Sequence, residues 1–126
     1  PHLNHAKGKI VFISSVAANL PVAQYSIYGA SKAALSGFAR NLRLELSGVH
    51  VQTIYPGAIQ TDMHSKSGAT KLNTKNFPTH AATARKIVKG IATNKNEVTI
   101  GFGNQVVRNA GYYFSRISDF IARTRA

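Results

Sequence analysis

The sequence predicts an α/β fold built on a parallel sheet. Short apolar runs with the length and composition of buried strands occur at residues 10–13, 49–55 and 97–100. Each run is followed by a longer segment whose apolar residues recur at helical spacing. This alternation of strand and helix favours parallel pairing with right-handed crossovers. Ligands bind such open sheets beyond the carboxyl ends of the strands, so we expect functional residues there.

The first half of the chain predicts a strand, a long helix and a second strand. Ile10 to Ile13 are adjacent apolar residues, which suits a parallel strand covered on both faces. The helix runs from about Ser26 to Leu46, and Gly48 beyond it is a helix-stop signal. Its apolar positions are Ala34, Phe38 and Leu42, with Leu35, Ala39 and Leu46 beside them. Val49 to Tyr55 form the second strand, which Pro56-Gly57 ends.

The second half predicts a long polar loop, a helix, a short strand and a final helix. The loop covers residues 58–78, a length that is usually functional, and Thr79 can cap the helix after it. The third strand is Glu97 to Ile100, and we interpret Gly101-Phe102-Gly103 as a loop. The last helix, about Gln105 to Thr124, is amphipathic, and we expect its apolar stripe to pack on the core. The stripe consists of Val106, Ala110, Tyr113, Phe114, Ile117, Phe120 and Ile121, with Arg108, Arg116 and Arg123 on the polar side.

The composition excludes several classes of protein. At 126 residues and 44% hydrophobic content, the chain forms one globular domain at most. It has no cysteine, so there is neither a disulfide framework nor thiolate chemistry. Its histidines are scattered without metal-ligand spacing, and we expect no metal site. No apolar run approaches the ~20 residues of a membrane span, and the N-terminus lacks a signal-peptide core. We therefore expect a cytoplasmic protein, with peripheral membrane association as an alternative.

The net charge of +12 is large for a chain of this size. It indicates either a basic surface for nucleic acid or anionic lipid, or a part of a protein whose acidic residues lie elsewhere. The basic residues are spread along the chain, and the interleaving of aromatic and basic residues used by stacking platforms is missing. We favour the second interpretation and expect no nucleic-acid partner. The basic final helix could also lie on a membrane, although we expect packing on the core instead.

A serine, a tyrosine and a lysine form a candidate proton-transfer site. Ser15 closes the first apolar run, and Tyr28 follows 13 residues later. Tyr28 and Lys32, at i and i+4, share one helix face. A phenol normally ionises near pH ~10 and is a poor base at neutral pH, whereas a nearby ammonium group favours the phenolate. The neighbouring Ser14 should point to the opposite strand face and is expected to be structural.

At these residues the chain resembles the short-chain dehydrogenase/reductase family of the classical type. The resemblance rests on the serine-to-tyrosine spacing, the Tyr28-x-x-x-Lys32 motif, and a strand that ends in Pro56-Gly57 with Thr61 shortly after. It implies a Rossmann-like doubly wound parallel sheet, of which this chain would supply the last three strands and their helices. It also implies homo-oligomers at full length, formed through the long helix with its small residues Gly29, Ala33 and Gly37.

The resemblance implies an NAD(P)-dependent oxidoreductase that interconverts an alcohol and a ketone or aldehyde by hydride transfer. Tyr28 would be the general acid/base, and Ser15 would hydrogen-bond the oxygen of a small-molecule substrate. Lys32 would assist Tyr28 and bind the nicotinamide ribose. The residues implied to contact the nicotinamide end of the cofactor are Pro56, Gly57, Ile59 and Thr61. Both NAD and NADP remain open as the cofactor.

Parts of the family's pattern are missing from the sequence. We find no glycine-rich turn that opens a helix, and Asn4 lies too close to the first strand to be the asparagine that often completes the catalytic set. We therefore interpret residues 1–126 as a partial NAD(P)-binding Rossmann-like domain, the C-terminal half only, without the dinucleotide-binding half. Such a chain would expose a strand edge and bury little apolar surface. We expect it to be poorly soluble or partly molten, inactive alone, and unable to bind a nicotinamide cofactor.

Two alternatives to an enzyme remain. One is a non-catalytic remnant that has kept the family's fold. The other is a basic binding module that contacts nucleic acid or an anionic membrane. The order of Ser15, Tyr28 and Lys32 argues against the remnant, since a decayed site would not retain all three residues.

Overall fold

The computed structural model describes residues 2–5, 7–66, 74–116 and 119–120. The helices are α1 (His2–His5), α2 (Ser26–Glu45), α3 (Met63–Lys66), α4 (His80–Ile91) and α5 (Phe102–Tyr113). The strands are β1 (Lys9–Ile13), β2 (His50–Tyr55) and β3 (Glu97–Thr99). Short 3-10 turns occupy Val16–Ala18 and Thr74–Asn76.

The three strands form a parallel sheet in the order β1–β2–β3, which confirms the predicted α/β class. β1 pairs with β2 from Lys9 opposite His50 to Ile13 opposite Ile54. β2 is buried from Val51 to Tyr55, as expected for a strand covered on both faces. The carboxyl ends of β1 and β2 therefore lie side by side, where the candidate functional residues follow.

Polar side chains tie this sheet to the end of α4. Gln52 is fully buried, and its Nε2 donates to the carbonyl oxygens of Gly90 at 3.1 Å and Lys95 at 2.8 Å. Lys9 Nζ donates to the carbonyl oxygen of Ile91 at 2.6 Å. The last carbonyls of a helix have no partner within it, and a positive charge beside them is favourable. These donors therefore hold the C-terminal end of α4 against the sheet.

The two crossover helices lie on opposite faces of the sheet. Gly90 of α4 packs on the face of Ile54, since a Cβ at Gly90 would lie 3.5 Å from Ile54 Cδ1. α2 lies on the face of Phe12, whose ring meets Phe38 edge-to-face with centroids 5.7 Å apart. Because Phe12 is paired with Thr53, these two faces are opposite. With strands in the order β1–β2–β3, the crossovers have opposite hands, so the prediction of right-handed crossovers is wrong for one of them.

The long polar segment and the start of the last helix differ from the prediction. The segment contains α3 and a 3-10 turn, and residues 67–73 lie outside the described residues. Thr79 caps α4 as predicted, with its Oγ1 accepting from Ala82 N at 3.2 Å. Gly101 has a φ of 96°, which glycine adopts readily, and it leads from β3 directly into α5. The interpretation of Gly101–Gly103 as a loop is therefore wrong, because Gly101 caps α5 and Phe102 and Gly103 lie within it.

α5 presents its polar face, not its apolar stripe, to the sheet. The side chain of Arg108 is only 13% exposed, pairs with Glu97, and lies 3.7 Å from the ring centroid of Tyr55. Val106 and Tyr113 are 53% and 72% exposed. The predicted orientation is therefore wrong, because Arg108 finds polar and aromatic partners inward that the stripe does not. The predicted continuation of the helix from residue 121 to 124, with Ile121 and Arg123, lies outside the described residues, as does Ile117.

Candidate active site

Ser15 lies in the turn that follows β1, and this turn is hydrogen-bonded to the carboxyl end of β2. Ser14 N donates to Ile54 O at 2.8 Å, and Val16 N donates to Pro56 O at 3.0 Å. Ser15 is buried, and its Oγ accepts from Ala17 N at 3.2 Å. Because Oγ is the acceptor in this bond, the hydroxyl can still donate its own proton. The turn therefore holds a hydroxyl donor at the edge of the sheet.

Tyr28 and Lys32 lie one turn apart on α2. Lys32 Nζ is 5.7 Å from the ring centroid of Tyr28. The same ammonium group donates to the carbonyl oxygen of Ile13, the last residue of β1, at 3.0 Å. The lysine therefore holds this face of α2 against the strand end that leads into Ser15.

Small residues and serine hydroxyls dock α2 on this edge. Ser14 Oγ donates to Lys32 O at 3.0 Å and lies 2.8 Å from Ser36 Oγ. Ser14 therefore faces α2 and fixes the helix that carries Tyr28 and Lys32. A Cβ at Gly29 would lie 3.3 Å from Ala17 O, so a larger residue there would push α2 away from the Ser15 turn.

The rings of Tyr25 and Tyr28 meet edge-to-face, with centroids 5.9 Å apart. Tyr25 is 7% exposed, whereas Tyr28 is half-buried. Offset and edge-to-face pairs of this kind are favourable. The buried Tyr25 ring therefore supports the side chain of Tyr28 from the preceding helical turn.

The segment after β2 follows the same edge. Pro56 is buried and accepts from Val16 N, which joins it to the Ser15 turn. Ile59 is half-buried and Thr61 is exposed. Gln60 N donates to Pro78 O at 3.0 Å, which holds the segment beside the start of α4. The structure thus brings the segment from Pro56 to Thr61 to the sheet edge that also carries Ser15.

Gly57 faces Asn104, a residue that the sequence analysis missed. A Cβ at Gly57 would overlap the side-chain amide of Asn104. Asn104 Nδ2 donates to Ile100 O at 2.7 Å, so the amide bridges the ends of β2 and β3. The available signal was Gly101 directly after a strand, since glycine is accepted at the N-cap of a helix and would have placed Asn104 in the first turn.

Two clefts adjoin the site, and Tyr28 and Lys32 line neither of them. The first, about 460 Å³, lies between residues 17–22, the start of α2 and the segment that begins at Gly111. The second, about 440 Å³, lies between α2 and α5 beside Tyr55. The described residues contain no group of three histidine or acidic side chains that could hold a metal ion. In this part of the chain no helix is long and apolar enough to cross a membrane.

Comparisons with known proteins agree with this geometry. A family model described as short chain dehydrogenase matches residues 1–72. The 11-beta-hydroxysteroid dehydrogenase-like 3 of Arabidopsis thaliana is 52% identical over 64 residues, which cover 50% of this chain and 21% of that protein. A short-chain dehydrogenase from Sphingobium yanoikuyae in complex with NADPH has a TM-score of 0.68 at 26% identity, covering 94% of this chain and 48% of that one. A short chain dehydrogenase from Burkholderia cenocepacia J2315 in complex with NADP shares the fold, with a TM-score of 0.80 at 20% identity over 97% of this chain and 50% of that one.

The family match includes Ser15, Tyr28, Lys32 and the segment from Pro56 to Thr61. The matched residues span about a fifth of the length of the Arabidopsis relative and about half of each solved chain. We expected this chain to correspond to the C-terminal half of the family's domain only. The family model contradicts this expectation, because it matches the N-terminal part of this chain. Since the match covers residues 1–72 of 126, the chain belongs to the short chain dehydrogenase family.

Proposed function

We propose that the chain carries the acid/base residues of an NAD(P)-dependent oxidoreductase that interconverts an alcohol and a ketone or aldehyde. The observation that carries the proposal is the hydrogen bond from Lys32 Nζ, which lies 5.7 Å from the Tyr28 ring centroid, to Ile13 O at the carboxyl end of β1, two residues before Ser15. Ligands of open parallel sheets bind at such ends. Family membership and the nicotinamide cofactors of the two solved relatives support it.

Tyr28 transfers the proton in this proposal. During reduction its phenol donates a proton to the substrate's carbonyl oxygen, and during oxidation the phenolate takes one from the hydroxyl. Ser15 donates a hydrogen bond to the same oxygen and stabilises the negative charge that develops there. Lys32 contributes a positive charge beside the Tyr28 ring, and its N–H groups not used by Ile13 can bind a ribose hydroxyl.

The bound nicotinamide cofactor supplies or accepts the hydride at the substrate carbon. The donors present suit such a group, since an ammonium from Lys32 and the hydroxyl of the exposed Thr61 are available near this edge. The residues proposed to hold its nicotinamide end are Pro56, Gly57, Ile59 and Thr61. Of these, Gly57 contributes by letting Asn104 approach the end of β2, which positions the segment that follows.

The substrate is proposed to be a small alcohol or carbonyl compound. The Arabidopsis relative is named as an 11-beta-hydroxysteroid dehydrogenase-like protein, so hydroxysteroids and ketosteroids form the first panel to test. We keep NAD and NADP both open, although the two solved relatives hold the phosphorylated cofactor.

The isolated chain is proposed to be a partial cofactor-binding domain that is inactive alone. Among the described residues the buried apolar side chains are few: Tyr25, Ala39, Val51, Ile54, Tyr55 and Ile100. A core of this size offsets chain entropy only narrowly. A cooperative melt together with micromolar NADPH binding by the isolated chain would overturn this part of the proposal.

The test compares Tyr28→Phe with Tyr25→Phe in the protein as its native host makes it. Both substitutions remove one phenol oxygen from neighbouring, packed rings. We expect Tyr28→Phe to lower kcat by about 10²–10⁴-fold while NADPH affinity stays within about twofold. Tyr25→Phe should retain most of the activity. If Tyr28→Phe keeps more than about a tenth of the wild-type rate, the acid/base assignment is wrong.

A further inference from the structure

The outward face of α5 carries an apolar stripe that is exposed in the described part of the chain. Phe102, Val106 and Tyr113 are 86%, 53% and 72% exposed. Their spacing places them along one side of the helix, with the exposed Ala110 between them. All five aromatic residues beyond Ile100 are more than half exposed: Phe102, Tyr112, Tyr113, Phe114 and Phe120.

The opposite face of α5 is already occupied, so the stripe cannot turn inward. Gly111 is buried, and a Cβ there would overlap the carbonyl oxygen of Asn19. Arg108 Nε donates to Asn19 Oδ1 at 3.3 Å, and the guanidinium pairs with Glu97. A contiguous exposed apolar surface on a docked helix marks a site of interaction.

An arginine of α2 contacts Tyr112, an exposed aromatic residue of α5, and a second arginine follows the helix. Arg40 of α2 donates to Tyr112 Oη at 3.4 Å, and both residues are exposed. Arg116 is exposed just after the helix. Residues 102–126 contain four arginines and one acidic residue, Asp119, although the last two arginines lie outside the described residues. Aromatic rings flanked by guanidinium groups suit the boundary between lipid headgroups and acyl chains.

We propose that α5 is a peripheral docking surface for a membrane that contains anionic lipids. Phe102, Val106 and Tyr113 enter the boundary region, and Arg40 and Arg116 face the lipid phosphates. The helix lies on the membrane and does not cross it, in keeping with its length of 12 residues. None of these residues belongs to the proposed active site.

Charge favours this occupant over the others. A second copy seated on the same face would bring the exposed arginines Arg40 and Arg116 of both chains into one interface, which is unfavourable. A nucleic acid would use arginines and ring faces but gains nothing from an exposed valine at Val106. A membrane with anionic lipids can bury the apolar stripe in its boundary region and place lipid phosphates beside the arginines.

The experiment is co-sedimentation of the full chain with vesicles of phosphatidylcholine alone or with roughly 30% phosphatidylserine. Phe102→Ser/Tyr113→Ser is compared with Leu44→Ser/Val88→Ser, which changes side chains that are 86% and 66% exposed on α2 and α4. We expect binding to the anionic vesicles only, weakened at least about tenfold by the first pair and less than about twofold by the second.

A charge variant gives a second test that leaves every apolar contact in place. Arg116→Glu should weaken binding to the anionic vesicles about fivefold or more. Equal binding to both vesicle types, or an equal loss in both serine pairs, would overturn the proposal. So would displacement from vesicles by a single-stranded RNA, or a stripe variant whose only effect is to convert a dimer into a monomer in analytical ultracentrifugation.

Discussion

Two helical glycines should respond in opposite directions to the same substitution. Gly111 in α5 is buried, and a Cβ there would overlap Asn19 O and lie 3.0 Å from the Asn19 carbonyl carbon. Gly37 in α2 is exposed, and a Cβ there would have no atom within 4 Å. Gly37→Ala is therefore a matched control for Gly111→Ala, since both introduce one methyl group into a helix.

The expected magnitudes follow from these contacts. Alanine is favoured over glycine in a helix by about 1 kcal/mol, so Gly37→Ala should raise the free energy of unfolding by that amount. Gly111→Ala has the same helical gain, but its methyl group meets backbone atoms that cannot rotate away. Overpacking of this kind costs about 1–3 kcal/mol. The two variants should therefore differ by about 1–3 kcal/mol, with Gly111→Ala the less stable.

The assay is urea unfolding followed by far-UV circular dichroism, because the chain contains no tryptophan for fluorescence. Trimethylamine N-oxide at a fixed concentration strengthens effective burial and suits a chain that we expect to be marginally stable. If Gly111→Ala unfolds at the same urea concentration as Gly37→Ala or at a higher one, Gly111 does not dock α5 on the Asn19 turn. The outward orientation of the α5 stripe would then lose its main support.

Two further substitutions test contacts between elements. Gln52→Met should lower the free energy of unfolding by about 1–3 kcal/mol, because it leaves the carbonyl oxygens of Gly90 and Lys95 without the buried amide donor. A loss below about 0.5 kcal/mol in urea unfolding would contradict this. Gly57→Ala should destabilise alone and be rescued by Asn104→Ala, with a coupling free energy of about 1 kcal/mol or more in a double-mutant cycle. Additive effects would show that the two side chains do not meet.

The first half of the fold was predictable because its signals are local. Four adjacent apolar residues predict β1, and Pro56-Gly57 predicts the end of β2. Each signal lies within or directly beside the strand that it predicts. The orientation of α5 was not predictable in this way. Helical periodicity shows that two faces differ but not which face the sheet takes. That choice depends on Arg108 finding Glu97 and Tyr55, which come from two different strands.

The site was predictable where a single helix carries it. The i, i+4 spacing alone places Tyr28 and Lys32 on one face of α2. The contact between Asn104 and Gly57 joins two elements that are distant in sequence. A periodic pattern describes one element and cannot predict a contact between two. The opposite hands of the crossovers escaped prediction for a similar reason, since the hand depends on which face α4 covers and not on the order of strands and helices.

Hydrogen bonds to the backbone connect the elements of the proposed active site. Lys32 Nζ reaches Ile13 O, Ser14 Oγ reaches Lys32 O, and Val16 N reaches Pro56 O. The acceptors in all three bonds are main-chain carbonyls. Ile13 O and Pro56 O lie at the ends of β1 and β2, whose parallel register sets their positions, whereas Lys32 O belongs to α2. A core substitution that weakens the domain but preserves this register should therefore lower its stability without moving Tyr28 relative to the strand ends. The proposed chemistry thus depends on the parallel register of β1 and β2 and on the seating of α2 against them.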